Sequence, residues 1–536
     1  MSPTHGNEEI EGRYKERVGY TYSAIPTSTS SPVYDTATLQ KQPAVNGHRD
    51  TTSNGVEDNL RVRSKMSEKG STLLQYVAAA AANLCCVAAG AMLGWTSPVL
   101  PKLGKTIVDN PLGQIITEEE SSWVASLVAI GAMIGSFIAG YLAERVGRKR
   151  TLLASVVPFL LGWALIASAK AVVQLYVARI ILGLALAFAF TVVPMYCGEI
   201  AETSVRGALG SFLQLFVTVG LLYAYAVGPY VSYLVFWILC AIPAIIFFAV
   251  FITMPESPYY LLKIGEREQA VAALARLRSK SPASVQKEVD EMQAEVEEAF
   301  RNEASVLDLF TDKANFRAMI YTSLLASFQQ LSGINFVLFY METIFISART
   351  PLSTAVATII VGCVQLVASS VTPMVVDRLG RKMLLIFSGI GEIVTLGALG
   401  IYFYLQDAMK SDVSSIAILP VLSLVIFIAT YSVGWGPLPW TVMGEMFQSN
   451  VKSKASGITV CACWFLAFII TKFSSNLKTS FGSYTLYWVF GAFCVCSVVF
   501  TVLVLPETKG KSLQQIRREL TGENPEIPEI DDGVKK

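Results

Sequence analysis

The sequence has few charged residues for its length, and the two signs nearly cancel. Asp, Glu, Lys and Arg make up 15% of the 536 residues, whereas soluble chains usually contain about 25%. The 42 Lys and Arg face 41 Asp and Glu, so the chain lacks the positive field that attracts nucleic acids. Hydrophobic residues reach 53%, which is typical of a protein that lies largely in lipid. We therefore expect a bilayer, and no nucleic acid, as its partner.

Histidine is almost absent, and cysteine occurs only inside apolar stretches. The two histidines, His5 and His48, lie in a polar N-terminal segment, while the nine cysteines fall among aliphatic and aromatic residues. Intramembrane acyltransferases, haem carriers and zinc proteases need imidazole at their reaction centre, so these classes are disfavoured. The cysteines are expected to pack as small apolar groups. We expect neither an enzyme nor a site for a metal or other cofactor.

Apolar runs divide the rest of the chain. Residues 1–72 are polar, so we expect a disordered cytoplasmic tail and no signal peptide. Twelve runs of about 20 residues follow, each long enough to cross a bilayer as a helix. They lie near residues 73–97, 122–142, 151–169, 172–196, 208–228, 231–254, 317–346, 352–376, 383–405, 416–443, 455–477 and 484–505.

The runs form two sets of six, separated by a polar segment. The predicted division is a first six-helix bundle at 73–254, a linker at 255–316, a second bundle at 317–505 and a C-terminal tail at 506–536. The linker alternates charged and aliphatic residues, which predicts short amphipathic helices on the membrane surface. The fold class is therefore an all-α membrane protein with twelve transmembrane helices.

Basic residues predict the orientation. Lys and Arg cluster after the second and eighth runs, at Arg145, Arg148, Lys149 and Arg150 and at Arg378, Arg381 and Lys382. Short loops rich in these residues lie in the cytoplasm, so both termini and the linker are expected there. The plasma membrane is the expected location of this multi-pass protein, with an intracellular vesicle membrane as the alternative.

The two sets of six repeat one another. Residues 144–149 read Glu-Arg-Val-Gly-Arg-Lys, and residues 377–382 read Asp-Arg-Leu-Gly-Arg-Lys. A Gly-Glu pair followed by a base seven residues on, and a Pro-Glu-Ser or Pro-Glu-Thr triplet, also recur in the same order. Such a pattern predicts two bundles related by a parallel repeat, the major facilitator fold, with a substrate site between halves that rock against each other.

The repeated charges all fall at predicted cytoplasmic helix ends. Acids and bases at matched positions in both halves favour a gate that closes the inner side by pairing across the seam between the halves. The alternative is that they are solvated charges that only set the orientation. Because an exposed pair contributes under about 1 kcal/mol, a latch would need several of them. The gate candidates are Glu144, Arg148, Lys149, Glu199, Arg206, Asp377, Arg381, Lys382, Glu445 and Lys452.

Four motifs carry a family resemblance. The run Gln329–Asn335, the Pro-Glu-Ser-Pro at 255–258, the Gly-Trp-Gly-Pro-Leu-Pro-Trp at 434–440 and the Pro-Glu-Thr-Lys-Gly at 506–510 resemble the sugar porter family of the major facilitator superfamily. Within it the chain is similar to facilitative hexose carriers and to insect facilitated trehalose transporters. The resemblance covers roughly residues 73–515.

Polar side chains inside the apolar runs suggest a route for a polar solute. Five amides, each able to donate and accept hydrogen bonds to a hydroxyl, lie in the fifth, seventh and eighth runs: Gln214, Gln329, Gln330, Asn335 and Gln365. A single buried amide is more often a bond between helices, but this concentration favours a sugar site. The resemblance implies that these five residues and Trp440 contact a hexose.

Aromatic residues complete the predicted site. Trp440 and Trp464 are candidates to pack on the C–H face of a pyranose. Gly434, Gly436, Pro437 and Pro439 should unwind the tenth run just before Trp440. Phe339 and Tyr340 resemble an outer gate, and for most other aromatic residues a belt at the membrane interface is the alternative.

The first run bears on whether sugar transport is coupled to proton movement. By resemblance, proton-coupled relatives place an Asp there, next to an Arg on the fourth run; this chain has Thr96 at that position and keeps Arg179. We therefore expect a monomeric uniporter that works by rocker-switch alternating access, with a proton symporter and a sugar sensor as alternatives. Cys463 and Ser432 replace residues usual in hexose carriers, which leaves the sugar open: glucose or a related hexose first, trehalose second.

Overall fold

The computed structural model describes residues 70–105, 110–301, 307–447 and 449–522. Within them twelve helices are long and apolar enough to cross a membrane, as predicted, and we number them spans 1 to 12. Six spans are single helices: span 2 Glu118–Val146, span 4 Val172–Ile200, span 6 Tyr233–Phe251, span 8 Thr354–Leu379, span 11 Ser449–Phe481 and span 12 Ser483–Leu503.

The other six spans contain a break or a short turn of another helix type. Their segments are Leu73–Gly94 and Thr96–Lys105 in span 1, Arg148–Ala154 and Val156–Ala167 in span 3, Arg206–Val227 and the 3-10 turn Gly228–Tyr230 in span 5, Lys313–Leu331 and Ile334–Ser347 in span 7, Arg381–Phe403 and the π turn Tyr404–Ala408 in span 9, and the 3-10 turn Ser414–Ile416, Leu419–Val433 and Leu438–Met446 in span 10.

The spans pack as two halves of six. Spans 1 and 5 and spans 2 and 4 pack together in the first half, and span 9 packs on spans 10 and 12 in the second. Between the halves, span 2 lies against span 11 and span 5 against span 8. The all-helical, two-bundle architecture expected from the repeat is confirmed.

Small residues let the helices of the first half approach closely. A Cβ atom on Gly90 of span 1 would lie 2.1 Å from the Val217 carbonyl oxygen of span 5, and one on Gly220 would lie 2.2 Å from the Val87 oxygen. Spans 2 and 4 repeat this contact at Gly131 and Gly183. Such packing replaces hydrophobic burial, which drives helix association weakly in lipid.

Spans 7 and 10 are broken in their middle, as their sequences predict. Gly333 in span 7 has a φ of 81°, a conformation that favours glycine, and a side chain there would collide with Phe490 of span 12. In span 10 the helix ends at Val433 and resumes at Leu438 after Gly434 to Pro437. Both breaks lie against other helices, where freed backbone groups find partners.

Three helices of the linker, joined in part by the 3-10 turn Pro282–Val285, share a small core of their own, and a short helix, Asp308–Thr311, precedes span 7. The three are Pro258–Lys263, Arg267–Arg278 and Gln286–Arg301, and Leu274, Val285 and Val289 are buried between them. Arg278 bonds the Ile200 carbonyl oxygen at 2.8 Å and pairs with Glu202 at 3.1 Å. The linker is therefore attached to the first half, and we call this end of the bundle the linker end and the opposite one the far end.

The region predicted as a C-terminal tail contains a helix that is attached to the second half. This helix, Leu513–Thr521, starts with a capping box formed by Ser512 and Gln515. Arg317 of span 7 bonds its Leu520 carbonyl oxygen at 2.6 Å, and Arg517 pairs with Asp312. The predicted N-terminal tail, except for residues 70–72, lies outside the described residues.

Candidate functional site

The break in span 10 is held by an amide from span 7. The Gln329 Nε2 atom donates to the carbonyl oxygens of Trp435 at 2.7 Å and Gly436 at 2.8 Å. These carbonyls lost their helical donors where span 10 unwinds, and Gln329 supplies the missing hydrogen bonds. In this conformation its amide nitrogen serves the protein backbone, and its role in sugar binding stays a prediction.

A second amide joins both segments of span 7 to span 11. Gln330 Nε2 donates to the Cys463 sulfur at 3.1 Å, and Gln330 Oε1 accepts a 2.7 Å hydrogen bond from Asn335 Nδ2. Asn335 lies after the Gly333 break and Gln330 before it, so this hydrogen bond joins the two segments of span 7. Three predicted site residues, Gln329, Gln330 and Asn335, are therefore brought together at the centre of the molecule, with Cys463 as a fourth member.

Span 8 presents buried oxygens that have no hydrogen-bond partner. Gln365 is 2% exposed, and its Oε1 atom and the hydroxyl of Ser369, one turn further on, are unpaired among the described residues. The Ser432 hydroxyl of span 10 is in the same state. Because an unpaired buried oxygen costs about 1 to 3 kcal/mol, a polar solute that donates hydrogen bonds here would be stabilised.

The remaining predicted site residues lie apart from this hydrogen-bonded cluster. Gln214 of span 5 and Trp440 of span 10 are half-buried, and neither bonds to the cluster within the described part of the chain. Trp464 of span 11 is buried and meets Phe190 of span 4 edge to face, with ring centroids 6.2 Å apart. That contact joins the two halves near the centre.

The two halves are bonded to each other at the far end. Lys472 of span 11 is 3% exposed, and its Nζ atom lies 2.5 Å from Glu119 Oε1 and 2.9 Å from the Ser122 hydroxyl of span 2. It also lies 4.6 Å from the ring centroid of Trp123, a cation–π contact. Thr479 adds a 3.0 Å hydrogen bond to Glu118.

The second segment of span 7 completes this closure. Phe339 and Tyr340, the predicted outer gate, are both buried, and the Tyr340 hydroxyl lies 3.5 Å from the Ser121 carbonyl oxygen. The Ser97 hydroxyl of span 1 accepts a 3.1 Å hydrogen bond from the Glu342 backbone. The described conformation is therefore closed at the far end.

Sequence reasoning missed Lys472 and its partner Glu119. The signal was available, because a lysine inside an apolar span is costly unless it is paired. Glu119 lies in the first turn of span 2, where a capping box of Thr117 and Glu120 starts the helix. Acidic residues are common in the first turn of a helix, so the sequence gives no sign that Glu119 has a partner in the other half, and only the structure shows it.

At the linker end of the first half, Arg148 at the start of span 3 bonds to spans 2 and 4. Arg148 Nε donates to Glu199 Oε1 at 3.0 Å, its Nη2 atom to Glu144 at 3.1 Å and its Nη1 atom to the Ala143 carbonyl oxygen at 2.9 Å. The Ser257 hydroxyl donates to the second oxygen of Glu199. We call this group the first corner.

The second half builds the same arrangement from the repeated motifs. Arg381 donates to Glu445 Oε1 at 3.1 and 2.7 Å, and the Thr508 hydroxyl donates to Glu445 Oε2 at 2.6 Å. Glu507 accepts hydrogen bonds from the backbone N–H groups of Arg381 and Lys382, as Glu256 does from that of Lys149 in the first half. We call this group the second corner.

Hydrogen bonds also set the charge state of the second corner. Partial burial acts to raise the pKa of the Glu507 carboxyl, but backbone N–H groups, those of Lys509 and Lys382 foremost, outweigh it and hold the pKa below its usual value. Glu507 is therefore ionised at neutral pH, in the form that accepts these bonds.

The predicted gate pairs charges across the seam when the inner side is shut, and in this conformation, which is closed at the far end, that pairing stays a prediction. Arg148 and Arg381 each follow a glycine with a positive φ, and each pairs with an acid of its own half. Arg206 is exposed, and Lys452 and Lys382 bond backbone carbonyl oxygens. Asp377 lies in span 8 with its side chain outside the described part of the structure.

Arg179 donates its hydrogen bonds to backbone carbonyl oxygens and not to an acid in span 1. It is fully buried in span 4 and donates to the carbonyl oxygens of Val124 at 2.9 Å and Met92 at 3.2 Å. The Thr96 hydroxyl donates to the Leu93 carbonyl oxygen of its own span at 3.1 Å. Within the described residues no carboxylate pairs with Arg179.

Comparison with known proteins agrees with this geometry. The family described as Sugar (and other) transporter matches residues 37–520. The chain belongs to this sugar transporter family, and its twelve spans make it an integral multi-pass membrane protein. The resemblance seen in the four motifs is confirmed.

Individual relatives cover most of the chain. It is 35% identical over 453 residues to the facilitated trehalose transporter Tret1 of Culex quinquefasciatus, which covers 84% of this chain and 86% of the relative. It is 34% identical over 463 residues to the mouse solute carrier family 2, facilitated glucose transporter member 8, covering 83% and 94%. The major facilitator proton:xylose symporter XylE bound to 6-bromo-6-deoxy-D-glucose is 26% identical, with a TM-score of 0.67 over 83% of this chain and 99% of that one.

Proposed function

We propose that the protein is a facilitative sugar uniporter that works by rocker-switch alternating access between its two halves. The observation that carries the uniport assignment is that Arg179 of span 4 donates to backbone carbonyl oxygens, while Thr96 of span 1 cannot ionise. Without an acid at this position, proton binding there cannot be linked to sugar occupancy. The related XylE is a proton symporter by its description, which makes coupling the specific point to test.

The proposed substrate is glucose, a related hexose or trehalose. The relatives that share about a third of the sequence are described as trehalose and glucose transporters. The amide cluster of Gln329, Gln330 and Asn335 and the unpaired oxygen of Gln365 supply donors and acceptors for hydroxyl groups. Trp440 and Trp464 are proposed to face the sugar ring. The carrier is proposed to act as a monomer and to leave the sugar chemically unchanged.

Tracer flux in proteoliposomes tests this function. Labelled glucose and trehalose should each be offered to vesicles with and without an imposed pH gradient. We expect uptake to stop when the internal and external sugar concentrations are equal, whatever the pH gradient. Accumulation of sugar above that level, if a protonophore abolishes it, would overturn the uniport assignment. If neither glucose nor trehalose enters the vesicles, the proposed substrates are wrong.

We further propose that the linker end faces the cytoplasm and that the carrier lies in the plasma membrane. The basic residues after spans 2 and 8 support this orientation. A cysteine at Glu291 on the linker and one at Gln114 near the far end form a matched pair, both exposed. In intact cells an impermeant thiol reagent should label the Gln114 variant only. Labelling of the Glu291 variant alone would reverse the orientation, and labelling of neither would place the carrier in an internal membrane.

A further inference from the structure

Span 9 contains a buried carboxyl group that the proposed transport cycle does not use. Glu392 is 1% exposed. Its Oε1 atom accepts a 3.1 Å hydrogen bond from the Ser388 hydroxyl one turn earlier, and its Oε2 atom lies 3.5 Å from the Cys494 sulfur of span 12. From span 10, the phenol of Tyr431 lies within electrostatic range of it. Among the described residues no ion pair involves Glu392, and its titratable neighbours are Cys494 and Tyr431.

A carboxylate in this place would be poorly compensated. Transfer of a lone charge into a medium of low dielectric constant is far more costly than transfer of a neutral group that keeps its hydrogen bonds. Acids inside membrane spans usually pair with a base or face water, and Glu392 does neither. The neutral carboxylic acid is the form that suits its surroundings, since it can both donate and accept hydrogen bonds.

Through Ser388, this carboxyl group reaches the break in span 10. The Ser388 hydroxyl accepts a 3.2 Å hydrogen bond from the backbone N–H of Trp435. The Trp435 indole donates to the Leu385 carbonyl oxygen at 3.1 Å, and a side chain at Gly434 would meet Ser388 at 2.3 Å. Span 9 is thus fitted closely to the broken segment.

The other face of that segment carries Gln329. Its amide holds the carbonyl oxygens of Trp435 and Gly436. A continuous series of contacts therefore runs from Glu392 through Ser388 and the Trp435 backbone to Gln329. Any shift of Ser388 would move the peptide groups against which the predicted sugar-binding amide is fixed.

We propose that Glu392, in its protonated form, is a positioning residue that fixes Ser388 against the span 10 break and thereby sets the affinity for sugar. This inference rests on the proposed sugar transport. Glu392 itself contacts no sugar, because span 10 lies between it and the amide cluster. Deprotonation would introduce an uncompensated charge behind the break, so sugar affinity should fall as the pH is raised.

Equilibrium exchange of labelled sugar in proteoliposomes, with variants of spans 9 and 10, tests the proposal. Glu392→Gln keeps a neutral group of the same shape and should leave KM near the wild-type value. Glu392→Ala and Ser388→Ala should each raise KM about fivefold to tenfold, as expected for the loss of one buried hydrogen bond. Thr395→Val is the matched control, since the Thr395 hydroxyl is buried but bonds only carbonyls of its own helix, and it should leave KM unchanged.

The outcomes separate this role from others. If Glu392→Gln were as impaired as Glu392→Ala, the proposal that Glu392 acts in its protonated form would be wrong. It would also be wrong if the KM of the wild-type protein and that of Glu392→Gln changed with pH in the same way. A normal KM in both Glu392→Ala and Ser388→Ala, with only the melting temperature lowered, would reduce both residues to structural roles. If the wild-type protein exchanges no sugar, the proposed function itself fails; if it does and the variants match it, only this inference fails.

Discussion

At the scale of single residues, Gln329 serves two purposes that the sequence alone does not separate. Its position in the span 7 motif predicts contact with a solute, and the structure shows its amide nitrogen bonded to two carbonyl oxygens of span 10. Its Oε1 atom lies 3.5 Å from Gln330 Nε2, inside the amide cluster proposed to bind sugar, while the nitrogen keeps span 10 in place. Substitution should change both ligand binding and local stability.

We expect Gln329→Ala to weaken sugar binding and to lower the melting temperature, because two buried carbonyl oxygens lose their donor at a cost of about 1 to 3 kcal/mol. Gln329→Glu removes the same donor while keeping the shape and should be at least as harmful. Sugar-dependent thermal shifts of purified carrier measure both effects. Gln174→Ala, in the first turn of span 4 and away from the amide cluster, is the control. Normal sugar affinity in a folded Gln329→Ala protein would remove this residue from the site.

At the scale of helices, the two corners show how far a sequence repeat predicts structure. The repeated acids, bases and glycines locate both corners in advance, because local turns of the chain position them. Pairing across the seam was predicted for the state whose inner side is shut, and it stays a prediction, because in this conformation, closed at the far end, each arginine bonds an acid of its own half. The break in span 10 follows from its glycines and prolines, whereas its attachment to Ser388 and Gln329 depends on which helices pack beside it.

Glu199 and Glu445 should have similar effects because their corners match. Each carboxylate accepts hydrogen bonds from an arginine and from a hydroxyl group, Ser257 or Thr508. We expect Glu199→Gln and Glu445→Gln each to slow transport while equilibrium sugar binding is retained. The thermal stability should also fall, because a largely buried arginine loses its counter-charge. Glu297→Gln on the exposed face of the linker is the control.

The rate at which a cysteine at the linker end reacts with a thiol reagent measures directly whether the two corners hold that end closed. A cysteine placed there should react faster with a thiol reagent in the Glu199→Gln and Glu445→Gln proteins than in the Glu297→Gln protein. Equal reaction rates and equal transport in all three would show that the corners are static supports with no part in gating.

At the scale of the whole molecule, the twelve spans and their pseudo-repeat follow from hydrophobicity and motif spacing alone. The conformation does not, because it reflects a balance between contacts at two ends of the bundle. In this structure the balance favours closure at the far end, where Lys472 of one half is buried against Glu119, Ser122 and Trp123 of the other.

Breaking the Lys472–Glu119 pair with one substitution should shift that balance, and a second substitution that exchanges the two charges should restore it. Glu119→Lys places two cations together and should open the far end, whereas adding Lys472→Glu re-forms the pair with the charges exchanged. A cysteine at Ser121, beside the contact with Tyr340, reports the state through its reaction with an impermeant reagent. We expect fast labelling in the single variant and slow labelling in the double variant and the parent. Uniformly slow labelling would show that this pair does not control closure.

The attachment of the linker to one half and of the C-terminal helix to the other provides two handles for optical measurement. Lys287 on the linker and Arg518 on the terminal helix are both exposed at the same end of the molecule. Arg278 ties the linker to the end of span 4 and the turn that follows it, whereas Arg317 ties the terminal helix to span 7. A fluorescent donor at one and an acceptor at the other would travel with different rigid bodies. Energy transfer between them would follow the rocking of the halves in a single carrier, without any probe in the sugar pathway.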